Sequence, residues 1–187
     1  MKKYQITEWC HHFIKDHVKE GNCCIDATAG NGNDTLVLCE LVGETGKVIA
    51  FDIQEEAIAN TKERLAEHGV LERAEVVLES HVNMGKYAEA DSVSCITFNF
   101  GYLPGGDHAL ATKKDSSIAA IHEGLRLLKK CGMMSLCIYS GGDSGFEERD
   151  AILAELKTLD AKKYLVILSE YYNRPNNPPI PVMIIKL

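Results

Sequence analysis

No stretch of this sequence is long and apolar enough to cross a membrane. The opening Met1-Lys2-Lys3-Tyr4 runs into polar residues rather than the apolar core of a signal peptide. The expected compartment is therefore cytoplasmic. None of the seven cysteines form the Cys-x-x-Cys spacing that zinc or thiol redox chemistry uses, and no His-x-x-x-His pair stands near a glutamate. No metal is expected. Cys23, Cys24, Cys95, Cys131 and Cys137 fall in apolar, strand-like runs, as buried reduced thiols would. An excess of positive charge is also missing: 27 acidic against 20 basic residues give a formal net charge of −7. That argues against a protein holding long nucleic acid by charge alone, while a small folded RNA gripped by a local basic patch stays compatible. What is present, 187 residues of which 45% are hydrophobic, suits one domain over 1–187 with one sizeable core. A homodimer is compatible with this sequence.

The chain opens on a pattern of helical spacing over residues 5–19, where Ile6, Trp9, Cys10, Phe13, Ile14, His17 and Val18 form a stripe. This N-terminal helix, within residues 1–20, is expected to pack on the core. Short apolar runs follow at Cys23–Ala27, Lys47–Phe51, Ala74–Leu78, Ser92–Phe98, Met133–Tyr139, Tyr164–Leu168 and Val182–Ile185. Helical patterns separate most of them, at Asp34–Leu41, Glu55–Glu67, Ser116–Lys129 and Glu147–Lys157, with a weaker one near Asn83–Ala88. Such alternation predicts a mostly parallel sheet with helices on both faces. Only the Pro/Asn-rich Asn173–Pro181 separates the last two strands, which predicts that the seventh runs antiparallel.

The segment Asp26-Ala27-Thr28-Ala29-Gly30-Asn31-Gly32-Asn33-Asp34-Thr35 joins the first of these strands to a helix. Gly30 and Gly32 permit tight turning and close approach of a ligand to the main chain, at the strand ends where open α/β sheets bind cofactors. The third glycine of a dinucleotide fingerprint is absent, Thr35 standing in its place, and no Gly-Lys-Ser/Thr follows. Asp26 and Asp34 bracket the loop, and two carboxylates would repel a pyrophosphate. S-adenosylmethionine carries an ammonium and a sulfonium and no phosphate, so it fits. The second strand ends in Asp52, about twenty residues on, where an acid accepts hydrogen bonds from ribose hydroxyls. Its alternative reading is the cap of the helix that follows. Ile53 and Gln54 are placed to flank an adenine. Ser80 and His81, after the third strand, lie where the loop passes the adenine, unless His81 is a loop histidine without a role. The expected cofactor residues are thus Asp26, Thr28, Ala29, Gly30, Asn31, Gly32, Asn33, Asp34, Thr35, Asp52, Ile53, Gln54, Ser80, His81 and Asn99.

These residues resemble class I methyltransferases over nearly the whole chain. More narrowly, the chain resembles the YtqB/MnmM-like family labelled rRNA methylase. The run Asp26–Thr35, the run Phe98-Asn99-Phe100-Gly101-Tyr102-Leu103-Pro104-Gly105-Gly106-Asp107, Tyr139-Ser140-Gly141-Gly142 and Asn176-Asn177-Pro178-Pro179 carry that resemblance. Tyr139-Ser140-Gly141-Gly142-Asp143 departs from the family's Tyr-x-Gly-His-x-Gly-Gly, so no histidine role carries over there. The resemblance implies a Rossmann-like, seven-stranded α/β fold and methylation of the aminomethyl arm on a wobble uridine of tRNA.

Asn99-Phe100-Gly101-Tyr102 also resembles the Asn/Asp-Pro-Pro-Tyr signature of amino-group methyltransferases, with Phe100-Gly101 in place of the prolines. An amine nucleophile must aim its lone pair along the line of methyl and sulfonium. Asn99 can accept its N–H bonds and Tyr102 can stack on a planar base. Alternatively Asn99 closes a turn and Tyr102 packs. No general base is obvious; Asp107 and His108 are near enough in sequence to take the proton. Lys113, Lys114 and Arg174 are the expected phosphate contacts, against the alternative of solvated helix-end charges. Beside a tRNA enzyme acting near the anticodon stand three other readings: an rRNA methyltransferase, a small-molecule methyltransferase, and a cofactor-binding module without catalysis.

Overall fold

The computed structural model describes residues 4–101, 113–140 and 142–187. Seven strands form one sheet: β1 (Cys23–Asp26), β2 (Lys47–Asp52), β3 (Ala74–Leu78), β4 (Val93–Phe100), β5 (Leu128–Ile138), β6 (Tyr164–Leu168) and β7 (Ile180–Lys186). Among the described residues, five α-helices accompany them: α1 (Ile6–His17), α2 (Asn33–Val42), α3 (Glu55–Glu67), α4 (Lys114–Leu127) and α5 (Gly142–Leu156). The strand order is β3-β2-β1-β4-β5-β7-β6. β7 runs antiparallel to both β5 and β6, and the remaining pairings are parallel. The reversal follows from the helix-free connection between β6 and β7.

Alternation along the strands fills two cores. Ile25, Ile49, Phe98, Leu136 and Ile184 face α4 and α5. Their neighbours Cys24, Val48, Cys95, Cys137 and Met183 face α1, α2 and α3. A period of two puts successive side chains on opposite faces, so strands covered on both sides read as unbroken apolar runs. α1 lies across β5 and β7 and buries Cys10, His11 and Ile14.

Some boundaries differ from the expectation. β5 begins at Leu128 rather than Met133, because its pairing with β4 shifts register around Lys129–Gly132. Cys131 lies in that irregular segment with φ of 61° and is exposed, contrary to the expected buried thiol; Cys23 is only partly covered. Cys24, Cys95 and Cys137 are buried. Burial pushes the Cys24 and Cys39 thiols up to about 12, so both stay neutral. The weak helical pattern at Asn83–Ala88 is a 3-10 segment, His81–Lys86.

β1 has β2 on one side and β4 on the other, so the chain leaves β1 in opposite directions across the sheet. This is the switch point of the sheet, and open α/β sheets bind ligands at the carboxyl ends of the strands there, here β1 and β4.

Candidate functional site

The loop after β1 is held from three sides. Ala27 N–H donates to Thr97 O on β4 at 2.9 Å, and Ala29 N–H donates to Phe51 O on β2 at 2.9 Å. Gly30 N–H donates to the Asp52 carboxylate at 2.9 Å, and Thr61 of α3 donates its hydroxyl to Gly30 O at 3.2 Å. Gly32 sits at φ 74°, and a Cβ there would lie 2.9 Å from the Thr61 Cα. Only glycine satisfies both the left-handed backbone and the contact with α3. The Asn31 side chain accepts from Asn60 at 3.0 Å, and its carbonyl from Arg64 at 2.6 Å. Asn31 is therefore bonded to α3. Asn33 is exposed at the start of α2.

Asp26 is fully buried, accepting the Thr35 hydroxyl at 2.6 Å and the Thr28 N–H at 3.2 Å. Burial, reinforced by the charge of nearby Asp34, raises its carboxyl to about 7. Asp26 thus sits beneath the loop and fixes the turn.

Asp52 is half-buried, with one oxygen on Gly30 N–H and the other accepting Gln54 N–H at 3.0 Å. It does not cap α3, whose cap residue is Gln54. A carboxylate has about four lone-pair sites, so acceptor capacity remains for a ligand's hydroxyls. Ile53 is 56% exposed beside it, an apolar surface of the kind an adenine ring covers. Ser80 accepts Val82 N–H weakly at 3.5 Å and begins the 3-10 segment. His81 donates from Nδ1 to Ala27 O at 3.3 Å and meets Phe98 edge to face. Burial lowers its pKa, so the ring is neutral. Its Nε2 is then an acceptor, and among the described residues this buried atom has no partner. An acceptor left unmet beside the loop after β1 fits a ligand donor.

At the end of β4, Asn99 N–H donates to the Thr28 hydroxyl oxygen at 2.7 Å, and Asn99 Nδ2 donates to Asp34 Oδ2 at 2.8 Å. A carboxylate only accepts, so the amide's NH2 must face Asp34. Asp34 Oδ1 in turn accepts from His11 Nε2 at 2.6 Å.

The acids, the tight glycine turn and the unmet His81 acceptor suit a phosphate-free cationic nucleoside ligand. The model described as "Putative rRNA methylase" matches residues 48–185. The chain belongs to the rRNA methylase family. It is 34% identical to the Arabidopsis thaliana protein named "tRNA (mnm(5)s(2)U34)-methyltransferase, chloroplastic", over 96% of this chain and 69% of that one. A crystal structure described as a putative rRNA-methylase from Clostridium thermocellum superimposes with a TM-score of 0.94 at 44% identity, covering 97% of both chains. A putative methyltransferase from Streptococcus mutans, solved in complex with SAH (S-adenosylhomocysteine), gives a TM-score of 0.88 at 34% identity over 98% of both chains. The fold of this family member is that of a class I, S-adenosylmethionine-dependent methyltransferase.

Other expected residues of this family member are scattered. Tyr102, Asp107 and His108 lie outside the described residues. Lys113 is exposed immediately before α4; Lys114 is exposed and ion-paired with Glu147. Arg174 is exposed in the turn after β6, its N–H donating to Tyr171 O at 2.9 Å. His11 was not among the expected site residues. Its signal was its place three residues before Ile14, on the stripe that α1 buries.

Proposed function

We propose that this protein is an S-adenosylmethionine-dependent N-methyltransferase acting on the aminomethyl group of a modified wobble uridine in tRNA. One observation carries the reading: Asn99 ends β4 beside the cofactor loop with its NH2 held by Asp34, leaving Oδ1 as a fixed acceptor. An amine with N–H bonds to Oδ1 is turned so that its lone pair points away from Asn99. S-adenosylmethionine, when bound, supplies the electrophilic methyl group. In this reading Asp52 receives ribose hydroxyls, Ile53 and His81 flank the adenine, and Asp26 and Asp34 favour positive charge. Tyr102 stacks on the base, and Asp107 or His108 takes the proton released from nitrogen. An alkylamine is largely protonated in water, so withdrawal from solvent must favour its neutral form first.

The relative named for mnm(5)s(2)U34 supports the tRNA acceptor, and the family's description supports rRNA as the second reading. The net charge of −7 makes phosphate contacts few, so tRNA affinity falls only gently with salt. Lys113, Lys114 and Arg174 are the proposed contacts, with Lys114 weakened by its bond to Glu147. Among the described residues no helix is long and apolar enough to cross a membrane; a cytoplasmic enzyme is proposed. A homodimer is also proposed, with β6 as the contact because Leu165 and Ile167 are 48% and 44% exposed on that edge strand.

The test incubates protein and methyl-labelled cofactor with RNA from cells lacking the gene and identifies the modified nucleoside by mass spectrometry. Label on the aminomethyl arm, reduced but still measurable with Asn99→Ala while S-adenosylhomocysteine still binds, supports the reading. Label on ribosomal RNA, or on a metabolite alone, overturns it. Lys113→Ala/Lys114→Ala should raise the tRNA concentration needed and leave turnover at saturation close to wild type.

A further inference from the structure

We propose that His11, carried by α1, is a positioning residue for Asn99 and acts through Asp34. The inference rests on the role given to Asn99 above, and it concerns an element outside the cofactor cradle.

α1 presents an apolar stripe to β5 and β7, and position 11 lies within it between Cys10 and Ile14. The His11 residue is 8% exposed. A buried imidazole N–H needs an acceptor, and an aliphatic residue would meet the packing need with none. The acceptor it has is Asp34 Oδ1, at 2.6 Å, on the first turn of α2. Burial works against a charge on His11, but the hydrogen bond and charge of Asp34, together with Glu8, outweigh it and raise its pKa. Lys15 opposes this from the same helix.

The consequence lies one bond further on. A carboxylate on the first turn of a helix has an alternative use, since the helix's own leading N–H groups are free to bind it. With Oδ1 engaged by His11, Oδ2 is turned to Asn99 Nδ2 at 2.8 Å. The Asn99 amide is fixed in one of its two flip states, the one presenting oxygen. Without His11, Asp34 is free to rotate, and the amide can present NH2, which repels the N–H of an amine. Thr28 holds only the backbone N–H of Asn99 and cannot prevent that flip.

The experiment uses the full chain as His11→Ala, His11→Phe and His11→Gln, each also combined with Asn99→Ala. Phenylalanine keeps the volume and removes the donor; glutamine restores a donor without the ring. S-adenosylhomocysteine titration verifies a folded site. The Asn99 side-chain NH2 resonances are followed by NMR, which needs no acceptor substrate, and turnover is measured on tRNA bearing the aminomethyl arm. We expect the NH2 resonances to move in the Ala and Phe variants and to return toward wild type in Gln. Turnover should fall roughly 10- to 100-fold in Ala and Phe, with the KM for cofactor changing far less, and recover in part in Gln. In the Asn99→Ala background the same changes should add little, because the residue through which His11 acts is gone. Unmoved NH2 resonances overturn the proposal. So does a turnover loss that persists in full in the Asn99→Ala background, since that marks a packing role. If wild type leaves the tRNA amine unmethylated while the resonances respond to His11, the substrate reading fails and the positioning stands.

Discussion

Asp52→Ala is the substitution whose cost can be worked out bond by bond. The carboxylate holds Gly30 N–H at 2.9 Å and Gln54 N–H at 3.0 Å, so it braces the cofactor loop and the start of α3 together. Both bonds are charge-assisted, but the group is half-buried and water replaces part of what is lost. Each is then worth about 0.5–1.5 kcal/mol net, or about 1–3 kcal/mol for the pair. A bound nucleoside's hydroxyls add their own loss of about 1–3 kcal/mol. The backbone bonds exist with and without ligand, so their loss shows in stability, and the expected penalty on binding is the hydroxyl loss of about 1–3 kcal/mol, roughly a 5- to 200-fold rise in Kd. The assay is calorimetric titration with S-adenosylhomocysteine beside urea denaturation of the same samples. Asp52→Asn separates the contributions: one oxygen remains an acceptor, while the new NH2 opposes one of the two backbone N–H groups. It should fall between wild type and alanine in both measurements. A folded Asp52→Ala protein with affinity within about threefold of wild type would refute the assignment of Asp52 to the cofactor, because the hydroxyl loss alone exceeds that at about 1 kcal/mol.

Gly32→Ala should destabilise the fold by about 2 kcal/mol or more, from the left-handed φ of 74° and the 2.9 Å approach to Thr61 Cα. Adding Thr61→Ala should not restore it, since the contact is with backbone; equal denaturation midpoints for Gly32→Ala and wild type would contradict this. Asp26, with its carboxyl raised to about 7, stabilises the fold most when protonated, and that contribution is lost as pH rises from about 4 through 7. The stability advantage of wild type over Asp26→Asn should therefore narrow between pH 5 and pH 8, by on the order of 1–3 kcal/mol, in paired urea titrations. An advantage that widens instead refutes the sign. NAD and ATP should bind more weakly than S-adenosylhomocysteine in direct titration, because Asp26 and Asp34 oppose phosphate. Methyl transfer should survive a chelator once tRNA folding is controlled, as no cluster of metal-binding side chains occurs among the described residues.

Periodic segments were legible in the sequence and irregular ones were not. α3 occupies the span its pattern predicts, Glu55–Glu67, because a polar face and buried Ala57, Ile58, Thr61 and Leu65 repeat at helical spacing. α5 starts five residues earlier than expected, at Gly142 rather than Glu147, since a glycine-rich opening carries no periodicity. The bulge before Met133 hid the start of β5 for the same reason. At the site, residue types and spacing singled out the acids but could not assign their duties. Asp26 and Asp52 look alike as strand-end acids, yet one is fully buried beneath the loop and the other is half-buried with lone pairs to spare. What separates them is the Thr35 hydroxyl, placed by the first turn of α2 to reach back to Asp26. His11 was hidden by distance along the chain: it meets Asp34 across 23 residues, and Asp34 meets Asn99 across 65.

Those long-range bonds make the loop after β1 and Asn99 one unit. Thr28 Oγ1 takes the Asn99 N–H, Asp34 takes the Asn99 amide, and the same Asp34 opens the helix that follows Gly32. A shift of the loop therefore moves Asn99, and a shift of β4 moves the loop. In a methyl transfer the donor and acceptor atoms must lie in line, and a small misplacement is costly. A site whose two halves came from independently mobile segments would have to order both at each turnover. Here β1 and β4 are adjacent at the switch point of the sheet, and their ends are joined by side-chain bonds rather than by strand pairing alone. The alignment is thus built into folding. The acids around the loop are also its struts: Asp34 holds the Asn99 amide, and Asp26, buried beneath the loop, holds the Thr35 hydroxyl.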